Sequence, residues 1–188
     1  MNFYKMTIDT QGENDIVCHF KNDFGLSQNA LIVGKECDSW NEGFEFYYNK
    51  EEGELATDLL ANDKGWLVVS EKLRATILLF TDKVEFFKVK VLEEQSKESA
   101  GDYFVANILN TVDGLSLEDS DYITVETSKR GVVYIIKKYA VKQVKLINEH
   151  IFKLPPDYNI PLFVSQDFKD MTKDKKLTGM AFLEIKVI

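Results

Sequence analysis

The sequence predicts an α+β fold, with a mixed or antiparallel sheet and a few short helices. Short stretches in which apolar and polar residues alternate recur along most of the chain, as expected for half-buried strands. The composition of 13 Phe and 8 Tyr against 3 Pro also favours strands over irregular chain. A third observation is a strand–helix–strand pattern that occurs twice, over residues 67–91 and 162–187.

The region before the first copy of this pattern is predicted to be rich in strands. We expect strands over residues 2–9, 15–20 and 44–48. Asn, Asp, Gly and Ser dominate residues 22–29 and predict a loop. The spacing of Leu55, Leu59 and Leu60 predicts one short helix before the turn at 63–65.

Each copy of the pattern begins with an apolar strand that ends at a serine. The matched residues are Leu67 with Leu162, Val69 with Val164, Ser70 with Ser165 and, after one inserted residue, Phe86 with Phe182, Lys90 with Lys186 and Val91 with Val187. A serine oxygen at this position can accept a hydrogen bond from the first turn of the following helix. The closing strands also share parity, with Phe87, Val89 and Val91 corresponding to Leu183, Ile185 and Val187. The pattern therefore predicts two units of common ancestry.

The remaining segments are also predicted to be mostly strands. Residues 93–102 are charged and small, which predicts an exposed loop, and residues 103–109 suit a strand but leave a helix open. We expect a hairpin of 122–126 with 132–139 around residues 128–131, and short strands at 144–147 and 151–154, the latter ended by Pro155-Pro156. No Gly/Ser-rich or Pro-rich linker interrupts the chain, so we expect a single domain over 1–188, loosely divided into a β-rich lobe (1–63) and a lobe with both copies (64–188).

The charge balance argues against polyanionic partners. Lys and Arg total 23 against 31 Asp and Glu, a formal net charge of −8. Nucleic acids and anionic membrane surfaces are bound mainly through cationic side chains, so neither is an expected partner. An acidic protein attracts basic partners, although a charge of this size is also ordinary for keeping a protein in solution.

The chain shows no sign of export or membrane insertion. The first twenty residues lack a basic stretch followed by an apolar one, and no segment approaches 18 consecutive apolar residues. Cys18 and Cys37 are too few for a disulfide framework. We therefore expect a cytoplasmic protein with two reduced thiols.

No motif predicts a cofactor, a metal site or catalysis. Phosphate-binding glycine motifs and the HExxH zinc motif are missing. Cys18, His19 and Cys37 lack the close ligand pairs of zinc sites, so a buried thiol beside an exposed imidazole is the better interpretation. His150 has no partner serine or cysteine in a recognisable motif and is assigned to a surface turn.

The candidate functional residues are those that could contact a protein partner. Acidic side chains could meet a basic partner, and Trp and Tyr are frequent at interface centres. They are Trp40, Tyr47, Glu51, Glu52, Glu54, Glu118, Asp119 and Asp121. The alternatives are that the acidic residues belong to solvated loops and that the aromatic residues pack in the core.

Several tracts also resemble a bacterial family long carried as a domain of unknown function. They are residues 65–70, 103–109, 163–165 and 177–179 with Phe182, and, near the N-terminus, residues 4–5, 15–18 and 22–25. That family is classed from gene neighbourhoods as immunity family eleven of polymorphic toxin systems. The resemblance implies a cytoplasmic protein that binds a cognate toxin and blocks it, and it brings no catalytic residues and no cofactor. Our hypothesis for the mechanism is steric occlusion of the toxin active site by an acidic, aromatic-bearing surface.

Two other functions remain open at this point. An enzyme or small-ligand-binding protein would use a cleft between the two copies, and a deep pocket with titratable groups would favour it. A non-enzymatic regulatory interaction protein would instead show a flat apolar patch.

Overall fold

A computed structural model describes residues 1–128, 131–155, 158 and 161–188. Within these residues the chain forms mostly strands with two short α-helices, which confirms the predicted α+β class. The strands are Phe3–Ile8 (β1), Val17–Phe20 (β2), Glu45–Tyr48 (β3), Leu59–Asn62 (β4), Leu67–Ser70 (β5), Val84–Glu93 (β6), Tyr103–Ile108 (β7), Asp121–Thr127 (β8), Gly131–Lys138 (β9), Ala140–Val141 (β10), Ile151–Lys153 (β11), Leu162–Ser165 (β12), Met180–Glu184 (β13) and Lys186–Val187 (β14). The α-helices are Glu71–Ile77 (α1) and Gln166–Asp174 (α2), and 3-10 turns lie at Gln28–Leu31 and Gln143–Lys145.

Six strands close into a small barrel in the order β2-β3-β6-β7-β5-β4. The β2–β4 and β3–β6 pairs are parallel and the other pairs are antiparallel, so the barrel is mixed. Aromatic residues fill much of its interior: Phe44, Phe46 and Trp66 are buried in one apolar cluster. Closure leaves the barrel without the free sheet edges that promote aggregation.

The second sheet is antiparallel throughout, in the order β11-β12-β1-β13. A second apolar cluster includes residues of this sheet, α1, α2 and the barrel strands, among them Met6, Leu59 and Phe168. A third cluster lies around Phe152 and Phe163 and includes residues near the β8–β9 hairpin and the C-terminus. Neither α-helix is long and apolar enough to cross a membrane, within the part of the chain that is described.

The two strand–helix–strand units form as predicted at the local level. Ser70 and Ser165 each accept a hydrogen bond from the first turn of the helix that follows. In both units the two strands are antiparallel to one intervening strand, β7 in the first and β1 in the second. The register also corresponds, since Ala106 pairs with Leu67 and Phe86 while Met6 pairs with Leu162 and Phe182.

The units differ in what surrounds them. The first belongs to the barrel and the second to the open sheet. Phe87 is partly buried against the barrel core, whereas its counterpart Leu183 is exposed. Common ancestry of the two units stays a prediction, as does the division of the chain into one domain with two lobes.

Two predicted elements are wrong. The helix expected at Leu55, Leu59 and Leu60 is instead the strand β4, paired with β5. Leu59 packs into the second apolar cluster and Leu60 into the first, so successive side chains point to opposite sides and both are buried. An amphipathic helix cannot supply that arrangement, whereas a strand between two cores does.

The strand expected at 144–147 is also wrong. The chain forms a 3-10 turn at Gln143–Lys145 instead. Val144 in this turn and Ile147 after it are exposed, whereas Leu146 is buried. Residues 103–109 form a strand, which excludes the helical alternative. The hairpin at 122–139 is confirmed, but residues 129 and 130 of its predicted turn and Pro156 lie outside the described residues.

Candidate interaction surface

Several large apolar side chains on the β8–β9 hairpin are exposed: Tyr122, Ile123, Val125, Val132 and Ile135. The two strands pair only with each other, with Ile123 opposite Ile135 and Val125 opposite Val133. These four residues share one face, which we call the hairpin face. Ile123, Val125 and Ile135 on it are 44%, 41% and 38% exposed.

Part of the opposite face holds the hairpin to the body, although Val132 on that face is 55% exposed. Ile136 is buried in the third apolar cluster and Tyr134 packs against that cluster. Tyr122 and Tyr134 meet edge to face with ring centroids 5.5 Å apart. Since side chains alternate between the faces of a strand, anchoring this face leaves the hairpin face outward.

It is unusual for a folded protein to leave an apolar face like the hairpin face exposed to water. A two-stranded hairpin is marginally stable without a third strand or a packed face. Contiguous exposed apolar surface in a folded protein commonly marks an interaction site. Sequence reasoning identified the hairpin but not this face, although apolar residues at both parities of β8 and β9 were a signal for it.

The second predicted acidic group lies where the chain enters this hairpin. Glu118 and Asp121 are exposed. Asp119 accepts hydrogen bonds from the Ser116 hydroxyl and the Lys186 ammonium, both at 2.9 Å. The hydrogen bond from Lys186 is the main reason that the pKa of Asp119 is lowered. Asp119 is therefore charged but already paired, whereas Glu118 and Asp121 have no ion pair with another described residue.

The first predicted acidic group lies on the barrel, in the turn after β3. Glu51, Glu52 and Glu54 are all exposed. Glu52 contacts His19 Nε2 at 2.9 Å, and Asp63 contacts His19 Nδ1 at 3.0 Å. These two carboxylates, Glu52 first, raise the pKa of His19, so the imidazolium is favoured. Sequence reasoning missed this bridge because it joins three distant segments.

Tyr47 and Trp40 are placed in different surroundings. The Tyr47 ring lies beneath the ammonium groups of Lys21 and Lys97, at 4.6 and 4.8 Å from its centroid. Trp40 stacks on Phe87 at 4.8 Å and packs against the barrel core. Tyr47 thus presents a partly covered ring at the surface, whereas Trp40 mainly covers the core.

The eight predicted contact residues therefore do not form one cluster. Trp40, Tyr47 and the Glu51–Glu54 turn belong to the barrel side, and residues 118–121 belong to the hairpin base. No hydrogen bond or ion pair between described residues joins the two acidic groups.

His150 does have a serine partner in space, but the geometry is structural. His150 Nδ1 lies 2.9 Å from Ser165 Oγ, and Asp167 lies 3.8 Å from that same nitrogen. A Ser–His–Asp relay needs the serine and the carboxylate on opposite ring nitrogens. Ser165 is fully buried and accepts from the Phe168 amide, the capping role that Ser70 performs in the first unit.

Metal-binding and thiol chemistry find little support in the described residues. They contain no cluster of three or more His, Cys, Asp or Glu side chains that could hold a metal ion. Cys18 and Cys37 are free, and burial raises the pKa of the Cys18 thiol to about 12. A buried thiol of this kind is inert, because the thiolate is the reactive form.

Comparison with known proteins identifies the family. The model of the immunity protein family Imm11 matches residues 2–187. No curated protein matches the chain. The family match covers nearly the whole length, including the barrel, the open sheet and the hairpin. The chain therefore belongs to the Imm11 immunity protein family.

Proposed function

We propose that this protein binds a cognate bacterial toxin in the cytoplasm and neutralises it by covering its active site, without catalysis of its own. Family membership supplies the class of partner. The observation that carries the choice of surface is the exposed hairpin face, which is apolar and lacks any covering element within the described residues.

The hairpin can bind a partner in two complementary ways. Its apolar face can be buried against the toxin, and its strand edges can pair with an extended toxin segment. Burial of aliphatic side chains provides affinity, at about 25 cal/mol for each Å² of apolar surface removed from water. A partner that covers this face also supplies the packing that a lone hairpin lacks.

The acidic residues at the hairpin base would steer a basic toxin toward the hairpin. Glu118 and Asp121 flank the root of the hairpin and are exposed. With a net charge of −8, the chain attracts a basic protein at long range. Exposed charges of this kind accelerate encounter more than they increase final affinity.

The barrel side is the second proposed contact region. The exposed carboxylates of Glu51 and Glu54 and the ring of Tyr47 could meet a large toxin that extends beyond the hairpin. Glu52 is engaged by His19, and Trp40 is packed against the core. We expect these last two residues to affect binding mainly through local structure.

Rescue of cells tests the function. Each toxin-like gene adjacent to the gene of this protein is co-expressed with it in a sensitive host. We expect rescue from one of these toxins and one-to-one binding of its purified protein. Failure to rescue cells from every neighbouring toxin would contradict the proposal.

Matched threonine variants test the surface. Ile123→Thr/Ile135→Thr replaces an ethyl group by a hydroxyl on each residue of a cross-strand pair while keeping β-branched side chains. Val144→Thr/Ile147→Thr is the control, because these residues are 74% and 70% exposed elsewhere. We expect at least a tenfold loss of toxin affinity for the hairpin pair and less than a twofold change for the control. Equal affinities would exclude the hairpin face.

Charge-neutral variants separate the two acidic regions. Glu118→Gln/Asp121→Asn and Glu51→Gln/Glu54→Gln each remove two exposed charges. We expect the first pair to slow association several-fold at low salt, with an effect that fades at high salt. A larger effect of the second pair would move the main contact to the barrel.

A further inference from the structure

A cavity of about 580 Å³ lies between the two strand–helix–strand units. Leu67 and Leu162, the matched first residues of the units, are both in its wall. Residues of all three apolar clusters also line it, including Leu31, Leu59 and Tyr139. Ligand pockets for small organic molecules have volumes in this range. The cavity also has the location that the ligand-binding alternative requires.

The wall combines apolar surface with positive charge. Among the described residues, the charged side chains in its wall are Lys5 and Lys153, and none of the residues in the wall is a carboxylate. Thr7 and Thr10 add hydroxyl groups near one end of β1. This composition stands out in a chain with eight more acidic than basic side chains.

Lys153 is the unusual member of this set. It is only 4% exposed, and lysine is almost never buried without a partner of opposite charge. Its ammonium donates to the backbone carbonyl oxygen of Leu31 at 3.4 Å, a long hydrogen bond. No carboxylate forms an ion pair with it among the described residues. Burial lowers the pKa of Lys153 to about 8.

We propose that this cavity binds a small amphipathic anion, with its carboxylate or phosphate group against Lys153 and its apolar body against Leu31, Trp66 and Leu67. The anion supplies a charge partner, which the buried ammonium lacks among the residues that the structure describes. The apolar wall favours a chain or ring attached to the anionic group over a bare inorganic ion. Trp66 donates its indole N–H to the backbone carbonyl oxygen of Gln28, so this N–H is not available to the ligand.

The proposal extends beyond toxin binding and needs no toxin. Octanoate, octyl phosphate, octan-1-ol and octylamine share one apolar chain and differ in the head group. Titration calorimetry measures the affinity of the purified protein for each of these four compounds. We expect one or both anions to bind at least tenfold more tightly than octylamine, against the sign of the chain's net charge. Octanoate and octyl phosphate together show which head group is preferred.

Variants assign the binding to the cavity. Lys153→Met keeps an unbranched side chain, one heavy atom shorter, and removes its charge. We expect at least a tenfold weaker affinity for the preferred anion and less than a threefold change for octan-1-ol. Lys88→Met, at an exposed lysine outside the cavity, is the control and should leave both affinities unchanged.

Two results would overturn the proposal. One is that neither anion binds the unmodified protein more tightly than octylamine at millimolar concentrations, a comparison that needs no variant. The other is that Lys153→Met binds the anions as tightly as the unmodified protein. The hairpin pair Ile123→Thr/Ile135→Thr should bind the anion normally, so failure of this proposal and failure of toxin binding are distinguishable.

Discussion

Replacement of Lys153 by methionine is expected to stabilise the protein at neutral pH. Folding places the ammonium in the cavity wall with one long hydrogen bond, to Leu31 O, and burial lowers its pKa from 10.5 to about 8. Each tenfold change in a protonation constant corresponds to about 1.4 kcal/mol. The difference between 10.5 and 8 therefore corresponds to about 3 kcal/mol of unfavourable free energy for the charged folded form. Methionine fills a similar volume without that charge.

The lowered pKa of Lys153 also determines in which direction the stability of the protein changes with pH. Between pH 8 and 10.5 the unfolded chain keeps the Lys153 proton while the folded protein releases it, so the free energy of unfolding rises with pH. Other groups act in the opposite direction. Burial raises the pKa of Cys18 and of Tyr139 to about 12, so their contribution falls as the pH rises above 9 or 10. Cys18 and Tyr139 are present in both the unmodified protein and Lys153→Met, so the difference between their free energies of unfolding reports on Lys153.

Urea unfolding at pH 7, 8, 9 and 10 measures this difference. We expect the free energy of unfolding of Lys153→Met to exceed that of the unmodified protein by about 3 kcal/mol at pH 7, and this difference should shrink toward pH 10. Lys88→Met is the control, because Lys88 and its partner Asp102 are both 70% exposed and such pairs contribute about 0–1 kcal/mol. A methionine variant that is less stable at pH 7, or a gap independent of pH, would refute the assignment of a buried unpaired charge.

Three further predictions concern local structure. Gly179→Ala should destabilise the protein by more than about 2 kcal/mol in urea unfolding, because its φ is +85° and a Cβ would lie 2.2 Å from a backbone oxygen of β4. The control is Gly25→Ala, where φ is +78° but the space is open, and it should lower the free energy of unfolding by only about 1 kcal/mol. Ser70→Ala should cost about 1 kcal/mol by the same assay, since it removes the cap of α1, and no loss would contradict that role. In an NMR titration the pKa of His19 should lie above 6.5, and in Glu52→Gln it should fall toward 6.5. The stabilising contribution of the contact should be lost as the pH rises through the pKa of His19 in the folded protein. A pKa that Glu52→Gln leaves unchanged would show that the contact is not formed in solution.

Much of the fold could be predicted from local patterns. Both strand–helix–strand units, the serine caps and the 122–139 hairpin follow from alternation, helical spacing and turn residues within about 25 positions. The helix expected at Leu55, Leu59 and Leu60 failed for a tertiary reason. Leu59 and Leu60 have helical spacing with Leu55, but the closed barrel places them between two apolar clusters. Propensity is a weak preference that tertiary packing overrides.

The functional residues were less predictable than the fold. The acidic segments were visible as sequence, but their separation onto the barrel and the hairpin base depends on strand order. The ion pairs of Asp119 with Lys186 and of Glu52 with His19 join residues far apart in the chain. Such pairs decide which carboxylates remain available to a partner, and no local pattern encodes them.

The sequence by itself determined the α+β class, the two units with their capping serines, the acidic charge and the resemblance that the Imm11 match confirms. The tertiary structure decided which surfaces and cavities these elements create. It turned one face of the hairpin toward water and placed the Lys153 ammonium beside the carbonyl of Leu31, 122 positions away. The physical reason is that burial and electrostatic environment are properties of the packed assembly, whereas strand and helix patterns are properties of neighbouring residues.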